Sequence, residues 1–107
     1  MRICFTDKKM QRVFNDYVQL EARFGAELAT KIATRMAVLA AARDLGRIPR
    51  RSPIRLRPLD GSPGRFSVDL VPPLRLTFGA LNGHAGNGDG NDVDKSRIEE
   101  IEVFGVE

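Results

Sequence analysis

Gly64-Arg-Phe-Ser-Val-Asp-Leu-Val-Pro-Pro-Leu-Arg-Leu-Thr-Phe78 decides the fold. Two alternating runs are joined by Val71-Pro72-Pro73, and each run carries an arginine. Phe66, Val68 and Leu70 share one face of the first, and Leu74, Leu76 and Phe78 share one face of the second. A period of two over this length predicts half-buried antiparallel strands, Phe66 to Leu70 and Leu74 to Ala80. With the apolar set turned inward, Arg65, Ser67, Asp69, Arg75 and Thr77 point outward. The pleat therefore predicts an open sheet face decorated by arginines.

Upstream of this pair, Ile54 to Leu59 reads as another strand, and Asp60-Gly61-Ser62-Pro63-Gly64 is turn chemistry. Arg2 to Phe5 reads as a short first strand with Cys4 as a small buried residue. Thr6 is the expected N-cap of a first helix, with Asp7 in its first turn. Met10, Val13, Phe14, Tyr17, Val18 and Phe24 follow helical spacing up to Gly25, a C-terminal stop, so Tyr17 falls on the core stripe. Helix two is expected from about Ala26 to Leu45, with Leu28, Ile32, Met36 and Leu39 on one stripe and Gly46 and Pro49 after it. The short link implies an antiparallel helical hairpin. Asn82 to Asp94 has four glycines and no apolar period, which reads as a mobile surface loop. A last strand is expected from Ile98 to Phe104. The order β-α-α-β-β-β-β, helices before most of the sheet, predicts an α+β fold with a small, mainly antiparallel sheet on the hairpin.

Charge is unevenly placed. Arg43 to Arg75 holds eight arginines and no lysine against three aspartates, a net +5; the residues after Arg75 carry −5, and the whole chain +3. Planar, permanently charged forks suit phosphate groups, so the basic middle fits a polyanion such as RNA. A solvated, salt-bridged surface is the competing reading. At 107 residues with 42% hydrophobic content, residues 1–107 are read as a single domain with one core. Cys4 is the only cysteine, which excludes an intrachain disulfide and a Cys/His metal set. The start turns charged before any long apolar run, so neither a signal peptide nor a membrane span is expected, and a reducing cytoplasm is.

These residues resemble the RelE/ParE superfamily of bacterial toxins, in its HigB-like branch, the plasmid maintenance killer proteins. The resemblance spans nearly the whole chain. It rests on Phe5-Thr-Asp-Lys-Lys, Arg23-Phe-Gly25 with Leu28-Ala29, Gly64-Arg-Phe-Ser-Val-Asp-Leu70, Leu74-Arg-Leu-Thr-Phe78 and Ile98-Glu-Glu-Ile-Glu-Val-Phe-Gly-Val-Glu107. The Phe-Ser-Val-Asp-Leu and Arg-Leu-x-Phe pair is its specific part. It implies a small curved sheet backed by a helical hairpin, a cognate antitoxin of the helix-turn-helix kind in a toxin–antitoxin hetero-oligomer, and cleavage of messenger RNA on the ribosome with no metal or other cofactor.

Carried onto this sequence, the resemblance makes Arg75 the sheet arginine that stabilises charge on the phosphate in the transition state. Arg57 stands where relatives commonly place a histidine, and Arg65 is the third candidate catalytic residue. Arg55, with Arg47, Arg50 and Arg51 of the preceding basic segment, is assigned to gripping the RNA. Relatives commonly continue past the position of Glu107 into Asp-Tyr-His, which can transfer protons; this member either does without them or carries them past Glu107. Arginine is a poor general base because it stays protonated.

The remaining chemical residues give weaker signals. His84 reads as solvated, since no neighbour fixes it. The glycines from Gly83 to Gly90 lack the strand-to-helix setting and Gly-Lys-Ser/Thr ending of a phosphate loop. Asp89, Asp92 and Asp94 miss the EF-hand spacing for calcium. Asp69 should pair with one of its arginine neighbours, and Ser67 has no base beside it to make it a nucleophile. Two rival functions stay open beside the ribonuclease: a gyrase-inhibiting toxin without nuclease activity, and an inactive module that only binds its antitoxin or nucleic acid.

Overall fold

The structure is a computed structural model and describes residues 1–59, 61–82 and 94–107. The loop expected from Asn82 to Asp94, with His84, Asp89 and Asp92, falls outside those residues except at its two ends. Both ends are anchored. Asn82 Oδ1 accepts from the amides of Glu99 and Glu100 at 3.0 Å. Asp94 Oδ1 accepts from the Ser96 amide at 3.0 Å, capping a 3-10 turn over Lys95–Arg97. Hydrogen bonds from the Ser96 hydroxyl and then its amide hold the Asp94 carboxyl below its usual range.

In β1 (Arg2–Phe5), Ile3 and Phe5 lean toward the core while Arg2 and Cys4 face out. Cys4 is exposed, not buried as its apolar character predicted, because the alternation places it on the outer side. Desolvation, followed by the Glu102 and Glu100 carboxylates, pushes its thiol pKa up.

Asp7, not Thr6, caps the first helix: its Oδ1 accepts from the Met10 amide at 2.7 Å, while the Thr6 hydroxyl donates to the Val103 carbonyl. The expected first helix is two, α1 (Lys8–Asn15) and α2 (Tyr17–Phe24). Between them Asp16 is extended at φ −128°, ending α1 and capping α2 through the Val18 amide. The break resets the helical phase, so Tyr17 and Val18 leave the core stripe: Val18 is 76% exposed, and the Tyr17 hydroxyl bonds Thr30 Oγ1 at 2.9 Å. Asp16→Ala is expected to destabilise the protein by about 1 kcal/mol, the usual worth of an N-cap. A chemical denaturation midpoint equal to that of wild type would show that the break does not depend on this cap.

Gly25, at φ 86°, turns the chain into α3 (Ala26–Ala41) in a conformation that other residues rarely adopt. This helix stops four residues short of Leu45, where Ala42 becomes extended. The Met1 ammonium donates to the carbonyls of Leu39, Ala40 and Ala42, meeting the negative end of the helix. A 3-10 turn over Leu45–Arg47 follows.

The sheet completes with β2 (Arg57–Pro58), β3 (Arg65–Asp69), β4 (Arg75–Ala80) and β5 (Glu100–Val106). Its order is β1-β5-β4-β3-β2. β1 runs parallel to β5 and the other pairings are antiparallel, so the chain is α+β with an open, mixed five-stranded sheet. The strand expected over Ile54 to Leu59 shrinks to two residues. A turn closed by the Arg55 amide on the Arg51 carbonyl precedes it, and Pro58 has no amide to donate. The last strand starts at Glu100 rather than Ile98, whose carbonyl instead takes the Leu45 amide.

Helices and sheet meet on one side. Leu20, Ala29, Ile32 and Leu39 form a single buried cluster with Phe66, Val68, Leu76, Phe78, Ile101 and Val103. The helices thus leave the opposite sheet face to other groups. No helix among the described residues is long and apolar enough to cross a membrane.

Candidate nucleic-acid interface

Strand register assembles the helix-free face. Arg57 pairs across from Ser67, Ser67 from Thr77, Asp69 from Arg75, and Arg65 from Gly79. Since Phe66 and Val68 fill the core, the alternate residues Arg65, Ser67 and Asp69 of β3 lie on the far side with Arg57 and Arg75. The three arginines named as catalytic candidates therefore share one face.

The face is less open than its polar alternation predicts. Ser67 and Thr77 are fully buried and Asp69 nearly so, although all three were expected outward and exposed. Two sets of side chains cover them. Asp69 Oδ1 takes Arg57 Nη2 at 3.1 Å, and its Oδ2 lies 3.6 Å from Arg55 Nη1. On the neighbouring row the Phe104 ring lies over Gly79, so close that a Cβ there would sit 2.8 Å from the ring. The Arg65 guanidinium stacks on that ring at 4.7 Å. Phe104 reaches this position through a bulge in β5, where Phe78 pairs with Val103 and Thr77 with Gly105, leaving Phe104 between them. Gly105 supports the bulge at φ 147°.

Backbone conformation aims Arg55. Its φ of 50° is in the left-handed region, sparsely used by non-glycine residues and costly to hold, which turns its side chain toward Asp69. Asp69 is fixed from both sides: its amide donates to the Ile54 carbonyl at 2.7 Å, and its carbonyl accepts Arg35 Nε at 2.8 Å. Arg35 rises from α3, is 4% exposed and also donates to the Pro53 carbonyl at 3.2 Å. A buried guanidinium thus ties the helix layer to the backbone of the residue whose carboxylate orders two surface arginines.

No family model, curated protein or solved structure matches the chain.

Arg75 is half-buried at the start of β4 and forms no ion pair among the described residues. Asp69, directly opposite, is already engaged by Arg55 and Arg57. The Arg75 backbone pairs with Glu107 in both directions, 2.8 and 2.9 Å, so the end of β5 runs beside it. Arg75 is the cation on this face whose charge is least committed.

The basic segment does not gather as one grip. Arg55 joins the face, but Arg47 Nε lies 3.6 Å from Asp44 Oδ2. Arg50 acts on Lys95, whose ammonium pKa is depressed, first by burial and then by the Arg50 charge. Arg47 and Arg50 therefore belong with the two 3-10 turns, and Arg51 is exposed in the turn before β2.

Sequence reasoning missed Arg35 and Phe104 and placed Ser67 in solvent. Signals existed for the first two. Arg35 falls on the Ile32 and Leu39 stripe of α3, and Gly79 inside a strand marks a close approach by another group.

The arrangement can bind and stabilise an anion on a rigid sheet. Arginine is a poor general base, Asp69 is held by two arginines, and the Tyr17 hydroxyl is engaged on the helices, which leaves Glu102 on β5 and Glu107 beside Arg75 as the carboxylates near this face without an ion pair among the described residues.

Proposed function

We propose that this chain is the toxin of a bacterial type II toxin–antitoxin pair with a RelE-like curved sheet. It acts in the cytoplasm as a ribosome-dependent messenger RNA endonuclease held in check by a helix-turn-helix antitoxin in a hetero-oligomer. The observation that carries this reading is the placing of Arg55, Arg57, Arg65 and Arg75 on one sheet face, with Asp69 the carboxylate among them on β3 and Glu100 and Glu102 further across on β5. In the reaction a ribose 2′-hydroxyl attacks the adjacent phosphorus, the bond to the 5′-oxygen breaks, and a 2′,3′-cyclic phosphate forms. Charge grows on the phosphate oxygens, which fixed guanidinium groups stabilise. The proton leaves the 2′-oxygen for solvent or a group outside the described residues, and the departing 5′-oxygen gains one.

The lack of a histidine or tyrosine on the face among the described residues favours a second reading, a toxin or binding module without nuclease activity. Expression in a bacterial host separates them. The nuclease halts growth, the adjacent gene product restores it, and transcripts are cut only while translated. A gyrase poison leaves messages intact and gives DNA breaks with an SOS response. Undisturbed growth together with tight binding of the adjacent gene product identifies the inactive module. Ribosome binding by the toxin should weaken steeply as salt rises, because phosphate contacts release counterions.

A further inference from the structure

Ser67 and Arg57 face each other across the β2–β3 pairing, and each holds a buried polar atom without a partner among the described residues, the Ser67 hydroxyl and the Arg57 Nε–H. Their neighbours are satisfied. In the same row the Thr77 hydroxyl donates to the Gly105 carbonyl at 3.3 Å, and Arg57 Nη2 holds Asp69 at 3.1 Å. Nε can only donate, and a hydroxyl can donate, so one acceptor between them would satisfy both. Buried donors left unpaired cost stability, and in folded proteins they are rare enough to call for a physical reason.

The surrounding charge selects the acceptor. Over β2, β3 and the start of β4, Arg55, Arg57, Arg65 and Arg75 outnumber Asp69, with Glu100 and Glu102 set apart on the β5 side of the face, so next to Ser67 a neutral carbonyl is a poorer fit than an oxyanion. We propose that the Ser67 hydroxyl and the Arg57 Nε–H form the floor of a subsite that takes one non-bridging oxygen of a phosphate group. Asp69 grips Arg57 by Nη2 and leaves Nε to donate to that oxygen, while Arg75, two register positions from the Ser67–Thr77 pair on the same face, takes a second. The cover is movable: the Arg55 side chain is 46% exposed and lies 3.6 Å from Asp69, so it can swing aside to admit the ligand while Asp69 keeps Arg57 in place. The subsite rests on the reading of this face as a phosphate-binding surface, and it adds Ser67, a residue that reading does not use.

The test titrates the full chain with inorganic phosphate and with an uncleavable 2′-O-methyl RNA hexamer, followed by NMR at the backbone amides and the arginine Nε–H groups. The Arg57 Nε–H and Ser67 amide signals should shift and saturate with both probes. Ser67→Ala should raise the melting temperature by a few degrees, since it removes an unpaired hydroxyl, yet weaken binding roughly tenfold. Arg57→Lys keeps the charge but lacks Nε–H, and should weaken binding by a similar factor with an unchanged salt slope. If shifts are confined to Arg65 and Arg75 and Ser67→Ala binds like wild type, the surface reading stands and the subsite is wrong. If nothing on the face shifts with either probe, the phosphate-binding reading fails and takes the subsite with it.

Discussion

Arg75→Ala is expected to lower messenger RNA cleavage by about a hundredfold or more while leaving the fold intact, the usual loss for removing one preorganised charge from an oxyanion site. The residue opens β4 opposite Asp69, yet Asp69 is engaged by Arg55 and Arg57, so the Arg75 charge is left for a ligand. Its backbone is locked by two hydrogen bonds to Glu107, which truncation at Cβ leaves in place. Alanine in a strand costs under about 1 kcal/mol, so the melting temperature should fall by only a few degrees. Arg75→Lys keeps the charge without the planar fork and should fall between the two. Cleavage in a translating extract, read beside thermal unfolding, decides the matter. Full activity in a folded Arg75→Ala protein removes the arginine-centred mechanism, and loss of folding makes Arg75 a structural residue.

The parts of this architecture that were legible in the sequence are those with a clean period. Ile3 and Phe5, Phe66 and Val68, and Leu76 and Phe78 alternate without interruption, and their strands form within a residue of where alternation places them. Asp16 was not legible as a break, because an aspartate on a solvent face of one long helix satisfies the same spacing. Nor was the parallel pairing of β1 with β5, since alternation identifies a strand but not its neighbour. The candidate site divides in the same way. The pleat put Arg57, Arg65 and Arg75 on one side, but it also put Ser67 and Thr77 in water, where residue type alone would leave them. Their burial comes from long arginine side chains and a bulge that delivers Phe104 over Gly79, both tertiary events.

Arg35→Ala should be the costliest single change outside the apolar core. The guanidinium is almost fully buried and donates to two carbonyls, those of Asp69 at 2.8 Å and Pro53 at 3.2 Å. Truncation leaves both acceptors buried with no donor from α3 and opens a void between the helix and β3, for a loss of about 3 kcal/mol. In a protein near 100 residues that corresponds to a fall of roughly 12 to 20 °C in melting temperature. Arg35→Met separates the two contributions: it refills much of the void and removes the buried charge, a replacement often tolerated in protein interiors, so it should recover part of the stability. Both variants still free the end of β3 and the turn carrying Pro53 and Arg55, the two sides of the Asp69 cluster. Phosphate or RNA binding should therefore weaken in Arg35→Met even where its stability approaches wild type, which ordinary loss of packing does not produce. A melting temperature within a few degrees of wild type for Arg35→Ala, with binding intact, would show that the helix layer does not order the arginine face.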